Sequence, residues 1–178
     1  TQEHVIFPIM PLTGSLERAM TGAPVYAWEP EKGVHIGIMP RNGSVKDLRW
    51  FKGDPSFVFH PMNAHTDNNI VTCDVCEFEQ APLFPWADGT PGDPSKAVPR
   101  LTRWKFDLAA NTDEFKSERL DDLACEFPRL DERFTATNYR YGFFAADNNP
   151  KFKVGGFNGI GRVDHESGNT EIHDVGEA

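Results

Sequence analysis

Asn69-Ile70-Val71-Thr72-Cys73-Asp74-Val75-Cys76-Glu77-Phe78 is the longest strand-like run in this chain of 178 residues. Shorter candidate strands lie on both sides of it. Upstream are Ser56 to His60 and Asp47 to Phe51, split by Gly53-Asp54-Pro55, and then the strong turn signal Arg41-Asn42-Gly43. Val34 to Met39 and Pro24 to Trp28 also read as strands, with Glu29-Pro30-Glu31-Lys32-Gly33 as a hairpin connection. Ser15 to Met20 reads as a short helix with Ser15 as its N-cap. Val5-Ile6-Phe7 is an apolar run that ends at Pro8. Downstream, residues 80 to 99 are rich in Pro, Gly and Asp and read as one long loop, a length that often carries a function. Strand signals resume at Leu101 to Leu108, Leu123 to Phe127, Tyr139 to Ala145 and Gly159 to Asp164. Glu166-Ser167-Gly168-Asn169 then makes a tight hairpin to Thr170 to Val175. So many short strands with frequent turns predict an all-β protein. Antiparallel meanders build sandwiches, barrels and propellers alike. At roughly 40–45 residues per blade this length holds about four propeller blades, and periodicity alone does not choose among the three.

Composition narrows the function classes. Hydrophobic residues are 39% and charged residues 25%, a globular balance with enough apolar surface for a core. No apolar run reaches the roughly 18 residues that cross a bilayer. The opening Thr1-Gln2-Glu3-His4 has neither a basic region nor an apolar core of the signal-peptide kind, so a cytoplasmic setting is expected. A net charge of −9 repels phosphate backbones, which argues against nucleic acid as a partner. Three cysteines, Cys73, Cys76 and Cys125, are too few and odd in number for a disulfide framework. Cys73-x-x-Cys76 has no second pair to complete a zinc site, so a structural role is expected for both. Fourteen Phe supply apolar surface for packing or for lining a greasy pocket.

Two segments carry chemistry. In Phe57-Val58-Phe59-His60-Pro61-Met62-Asn63-Ala64 a histidine ends an apolar strand and is followed by a polar turn. Such a histidine points off the strand toward the mouth of a β structure, where ligands and metals sit, or else it bonds a nearby backbone group. In Cys125-Glu126-Phe127-Pro128-Arg129-Leu130 a carboxylate stands in an apolar stretch and calls for a partner. Arg129 is one candidate. The other is the outer nitrogen of a metal-bound histidine.

Phe-His-x-x-Asn-Ala at Phe59 to Ala64, then Glu-Phe-Pro-Arg at Glu126 to Arg129, then Tyr139-Arg140-Tyr141-Gly142, resembles the carotenoid cleavage oxygenase family. Gly22 to Trp28, Arg49-Trp50-Phe51, Leu101 to Trp104 and Phe157 to Asp164 resemble further family segments, so the resemblance runs through most of the chain. It implies a seven-bladed β-propeller in which four axial histidines hold one ferrous iron and glutamates behind them orient three. It also implies cleavage of a conjugated carbon–carbon double bond with dioxygen, giving two carbonyl products, in a carotenoid, apocarotenoid or stilbenoid held in an apolar tunnel. His60 is similar to one iron ligand, and Glu126 to one orienting glutamate whose histidine is expected outside this chain. Phe59 is a candidate for the tunnel wall.

The resemblance places two more histidine motifs before Thr1 and one after Ala178. Residues 1–178 then form one partial domain, the central portion of the propeller, that cannot hold iron alone. The bacterial lignostilbene branch is the nearest in overall pattern. His4, His35, His65, His165 and His173 match no ligand motif and are expected at the surface or in turns. The competing reading is an inactive propeller that binds or scaffolds, with His60 a structural remnant. The sequence is silent on oligomeric state.

Overall fold

A computed structural model describes residues 1–147 and 156–176. Twelve strands carry the fold among them: β1 His4–Ile9, β2 Leu12–Gly14, β3 Tyr26–Trp28, β4 Val34–Pro40, β5 Arg49–Gly53, β6 Phe57–Asp67, β7 Ile70–Phe78, β8 Arg100–Asp107, β9 Lys116–Leu130, β10 Tyr141–Asp147, β11 Gly159–Asp164 and β12 Asn169–Asp174. The α-helix is α1, Leu16–Met20, where the Ser15 hydroxyl accepts from the Arg18 N–H as an N-cap should. The all-β expectation is met. Among the described residues no helix is long and apolar enough to cross a membrane.

The strands form three antiparallel sheets. One has the order β1-β4-β5, one pairs β2 with β3, and the third runs β12-β11-β10-β9-β8-β7-β6. Within the third, β9 changes partner along its length. Lys116 to Arg119 face β8, whereas Ala124 to Leu130 face β10. Ala124 pairs with Arg100 on one side and with Asp147 on the other. The outer strand of one four-stranded meander therefore continues as the inner strand of the next. That handover is a propeller-like arrangement of blades, open at both ends here.

Packing follows this plan. β7 sits between β6 and β8 and is buried on both faces, so its side chains run nearly without alternation. Val71, Cys73 and Val75 meet Trp104, Phe106, Phe51 and the β4 residues Val34, Ile36 and Ile38 in one core. Met62, Cys76, Leu101, Cys125, Phe144 and Val163 form a second core where the two meanders join. Phe144 lies on Gly161 across the β10–β11 pair, and a Cβ at Gly161 would sit 2.2 Å from the ring.

Several local expectations are corrected. Glu29 to Gly33 is no hairpin: Pro30–Lys32 is a 3₁₀ turn, and the strands beside it pair elsewhere, β3 with β2 and β4 with β1 and β5. Pro8 does not end the first strand, because β1 is an edge and a missing N–H costs nothing there. His60 does not end its strand either. β6 runs on through Pro61 to Asp67.

Candidate metal centre

Two irregularities aim the site. The β6–β7 register shifts between Val58 and Pro61 and again between Pro61 and Asn63. Pro61 has no N–H for the ladder, so the strand bulges around it. Alternation fails accordingly: Phe59, His60 and Pro61 are exposed in succession, and Met62 and Asn63 are buried in succession. Opposite, Glu126 pairs with Ala145 and Arg129 with Phe143, so Phe127 and Pro128 share the single partner Phe144. This bulge places Phe127 at φ 53°, a left-handed value uncommon for a bulky residue.

The bulges bring His60 and Glu126 together. His60 Nδ1 lies 2.6 Å from Glu126 Oε2, which also accepts the Phe127 N–H at 2.7 Å. The histidine that Glu126 contacts is thus His60 itself, where the sequence pointed to one outside the chain. Arg129 is exposed and makes no ion pair with Glu126 among the described residues. A carboxylate only accepts, so the proton of this bond sits on Nδ1, and the Nε2 lone pair is left free to act as a ligand. Glu126 is 5% exposed, whereas the His60 side chain is 48% exposed. The charged group is held inside and the imidazole is presented outward. Glu126 Oε1 is buried without a hydrogen-bond partner among the described residues.

Aromatic rings frame the imidazole. The Phe59 ring is 6.2 Å from it and the Phe127 ring 5.4 Å, and both phenylalanines are exposed. Phe59 packs edge-on against Phe57 and Phe78. Phe127 carried no sequence signal beyond its place in the motif, since neither its left-handed backbone nor its neighbour His60 is visible in one dimension. Behind Glu126, the Cys125 Sγ lies 3.6 Å from that of Cys76, with both residues fully buried. The bond to Cys125, together with burial, pushes the Cys76 thiol up, and burial pushes Cys73 up to about 12. Thiols so held are packing groups. One imidazole is the donor set here, and no group of three metal-binding side chains gathers among the described residues.

The remaining histidines divide. His173 is exposed, as expected, whereas His35 and His4 are half-buried in strands β4 and β1, His35 Nε2 lying 3.0 Å from the Lys32 carbonyl and His4 Nδ1 3.1 Å from the Thr66 hydroxyl. His165 stands in the β11–β12 turn, as expected, but its side chain is only 7% exposed, and His65, inside β6, has a buried ring nitrogen. Burial lowers the pKa of both.

A sequence profile described as "RPE65: Retinal pigment epithelial membrane protein" matches residues 1–178. The chain is 46% identical over 149 residues to an isoeugenol monooxygenase of Pseudomonas putida, covering 83% of this chain and 31% of that protein. It is 40% identical over 186 residues to an isoeugenol monooxygenase of Pseudomonas nitroreducens, covering 100% of this chain and 39% of that protein. The crystal structure of Pseudomonas brassicacearum lignostilbene dioxygenase superposes with a TM-score of 0.90 at 32% identity, covering 99% of this chain and 39% of that one. The chain thus spans about a third of the length of these relatives. Its strands are part of a β-propeller, and it belongs to the RPE65 family, the carotenoid cleavage oxygenases that its motifs resemble.

Proposed function

We propose that this chain is the central part of a non-haem iron(II) oxygenase that cleaves a conjugated carbon–carbon double bond with dioxygen. The observation that carries the reading is the 2.6 Å bond between His60 Nδ1 and Glu126 Oε2. It fixes the tautomer and ring orientation that a metal-binding imidazole needs. His60 would hold the iron through Nε2. A ferrous ion held there would supply dioxygen activation beside the bound olefin. Glu126 keeps the proton on Nδ1 throughout and holds the ring against rotation. Phe59 and Phe127 offer an apolar wall to an aromatic or polyene substrate beside the imidazole. The relatives named for isoeugenol and lignostilbene favour a phenolic aryl-alkene or stilbenoid over a long carotenoid.

The test is the iron content per chain of the full-length protein, with and without His60→Ala. Near one iron, lost in the variant, followed by aerobic cleavage of isoeugenol or a stilbene, supports the oxygenase. No iron after anaerobic ferrous loading leaves a propeller that binds or scaffolds.

A further inference from the structure

Gly142 closes the segment Tyr139-Arg140-Tyr141-Gly142 and contributes no group to the metal site. It lies mid-sheet in β10, between Leu130 of β9 and Val163 of β11. A Cβ built there would stand 2.3 Å from the Met62 Sδ, 2.9 Å from its Cε and 3.1 Å from the Val163 Cγ1. Carbon and sulfur cannot approach so closely unless one of them moves. The Met62 thioether therefore lies directly on the Gly142 backbone, and only glycine offers that seat. Met62 is 5% exposed and packs among Cys76 and Leu101 of one meander and Cys125, Phe144 and Val163 of the other. Methionine adapts where there is room, and the core around this one is filled.

His60 lies two residues before this plug. The ladder between β6 and β7 pairs Val58 with Glu77, Pro61 with Val75 and Asn63 with Asp74, and it passes over Phe59, His60 and Met62. β7 therefore does not set where the imidazole points. Two fastenings just past the bulge do so: Met62 on Gly142, and the Asn63 amide, which donates to the Phe134 and Thr137 carbonyls at 3.3 and 3.0 Å. Both tie β6 to the second meander, which also carries Glu126. The seat is itself held. Tyr139 of the same segment donates its hydroxyl to Asp74 of β7 at 2.6 Å, in a buried polar cluster with Arg103, His165 and His65. Only Pro61, whose ring fixes its φ, stands between Met62 and His60, so a shift of one is passed to the other. The 2.6 Å bond from His60 Nδ1 to Glu126 Oε2 has little slack, because stretching it past about 3.5 Å abolishes it.

We propose that Gly142 is a positioning residue of the metal centre: by seating the Met62 thioether it sets the reach of His60 to Glu126. Its purpose rests on the oxygenase reading, whereas its geometry does not. Three variants of the full-length protein test it: Gly142→Ala, Met62→Val, and the two combined. Valine lacks the Sδ and Cε that an alanine at 142 would strike, so the double variant conserves the core volume. The ¹⁵N spectrum of the metal-free protein reads the His60 tautomer, and titration with cobaltous ion gives a Kd. The unaltered protein should show one tautomer, with the proton on Nδ1. Gly142→Ala should mix in the other tautomer and weaken cobaltous ion binding about tenfold, the cost of disturbing the bond that orients a metal ligand. The double variant should restore both. Val71→Ala, in the other core, should lower the urea midpoint and leave tautomer and affinity as they were. If Gly142→Ala does not fold, Met62→Ala empties the seat from the opposite side and should mix the tautomers in the same way. An unchanged tautomer in Gly142→Ala, or in Met62→Ala where that variant stands in for it, would overturn the proposal. So would a double variant without recovery, or an equal effect of Val71→Ala. The tautomer is read without metal, so a protein that binds neither cobaltous nor ferrous ion ends the oxygenase reading while the spectrum still decides the role of Gly142.

Discussion

Phe127 holds a full aromatic side chain at φ 53°, beside the imidazole it helps to frame. Such backbone costs about 1–3 kcal/mol and persists where the surroundings impose it. Here the imposing contacts are the bulge opposite Phe144 and the bond from the Phe127 N–H to Glu126. Phe127→Gly should therefore raise stability by about 1 kcal/mol, since the relieved strain exceeds the roughly 0.5–1 kcal/mol entropy cost of a glycine. The check is a higher urea midpoint at unchanged slope. On the proposed function, the same variant should lower turnover by opening one wall beside His60. Glu126→Gln keeps the side-chain shape but loses the charge-assisted bond to Nδ1. It should weaken ferrous or cobaltous ion binding by about 10- to 100-fold, measured as a dissociation constant, with the fold intact by circular dichroism. His60 and Glu126 were legible in the sequence because their neighbours form a motif. That they touch was not, because two bulges on different strands set the distance.

The longest strand in the structure is not the one the sequence announces. β9 has fifteen residues, yet only the stretch from Leu123 to Phe127 reads as strand. Its first half, Lys116 to Asp122, is charged and largely exposed because it forms the outer side of one meander, so no apolar pattern marks it. β6 likewise runs past His60, where the sequence reads a strand end followed by a polar turn, because the ladder accommodates Pro61 with a bulge. Buried strands such as β7 and β8, and the β11–β12 hairpin, were legible nearly to the residue, because apolar runs and tight turns are local signals. Pairing was less so, and the supposed hairpin at Glu29 to Gly33 shows why: adjacency in sequence does not fix the partner. Asn63 illustrates how an element is tied down from afar. Its amide donates to the Phe134 and Thr137 carbonyls at 3.3 and 3.0 Å and accepts the Ala136 N–H at 2.9 Å, where Ala136 has φ 66°. This single side chain pins the loop between β9 and β10. Asn63→Ala should cost about 2–3 kcal/mol through the backbone groups left unpaired, and hydrogen exchange should speed up at residues 134–137 before it does in β7.

At the scale of the whole molecule the two meanders are joined by one continuous strand, one apolar core and one buried polar cluster, and only the last responds to pH. Burial is the first cause that lowers His165 and His65 from the ordinary value of 6.5, so the folded protein keeps both neutral where the unfolded chain takes up protons. The unfolded state then binds more protons as pH falls through 6.5, and stability falls with it until the folded-state values are passed. Above pH 7 neither histidine contributes a slope. Glu29 acts in a lower window. Its bonds to the Thr13 hydroxyl and to Lys32 and Arg18 hold its carboxyl at about 2, against an ordinary 4.5. The stability it contributes is complete above pH 4.5 and is lost as pH falls toward 2. Urea midpoints measured from pH 8 to 3 should thus show a plateau, a first decline beginning near pH 6.5, and a second below pH 4.5. His165→Phe should make the first decline shallower and leave the second unchanged, the remaining slope belonging to His65 and His4. Glu29→Gln should make only the second shallower, the remainder belonging to Asp164, which its bond to Arg140 lowers, and to other paired carboxylates. A curve that stays level between pH 7 and 5 in the unaltered protein would mean that His65 and His165 are protonated equally in both states, and the polar cluster would then be open to water in the folded protein.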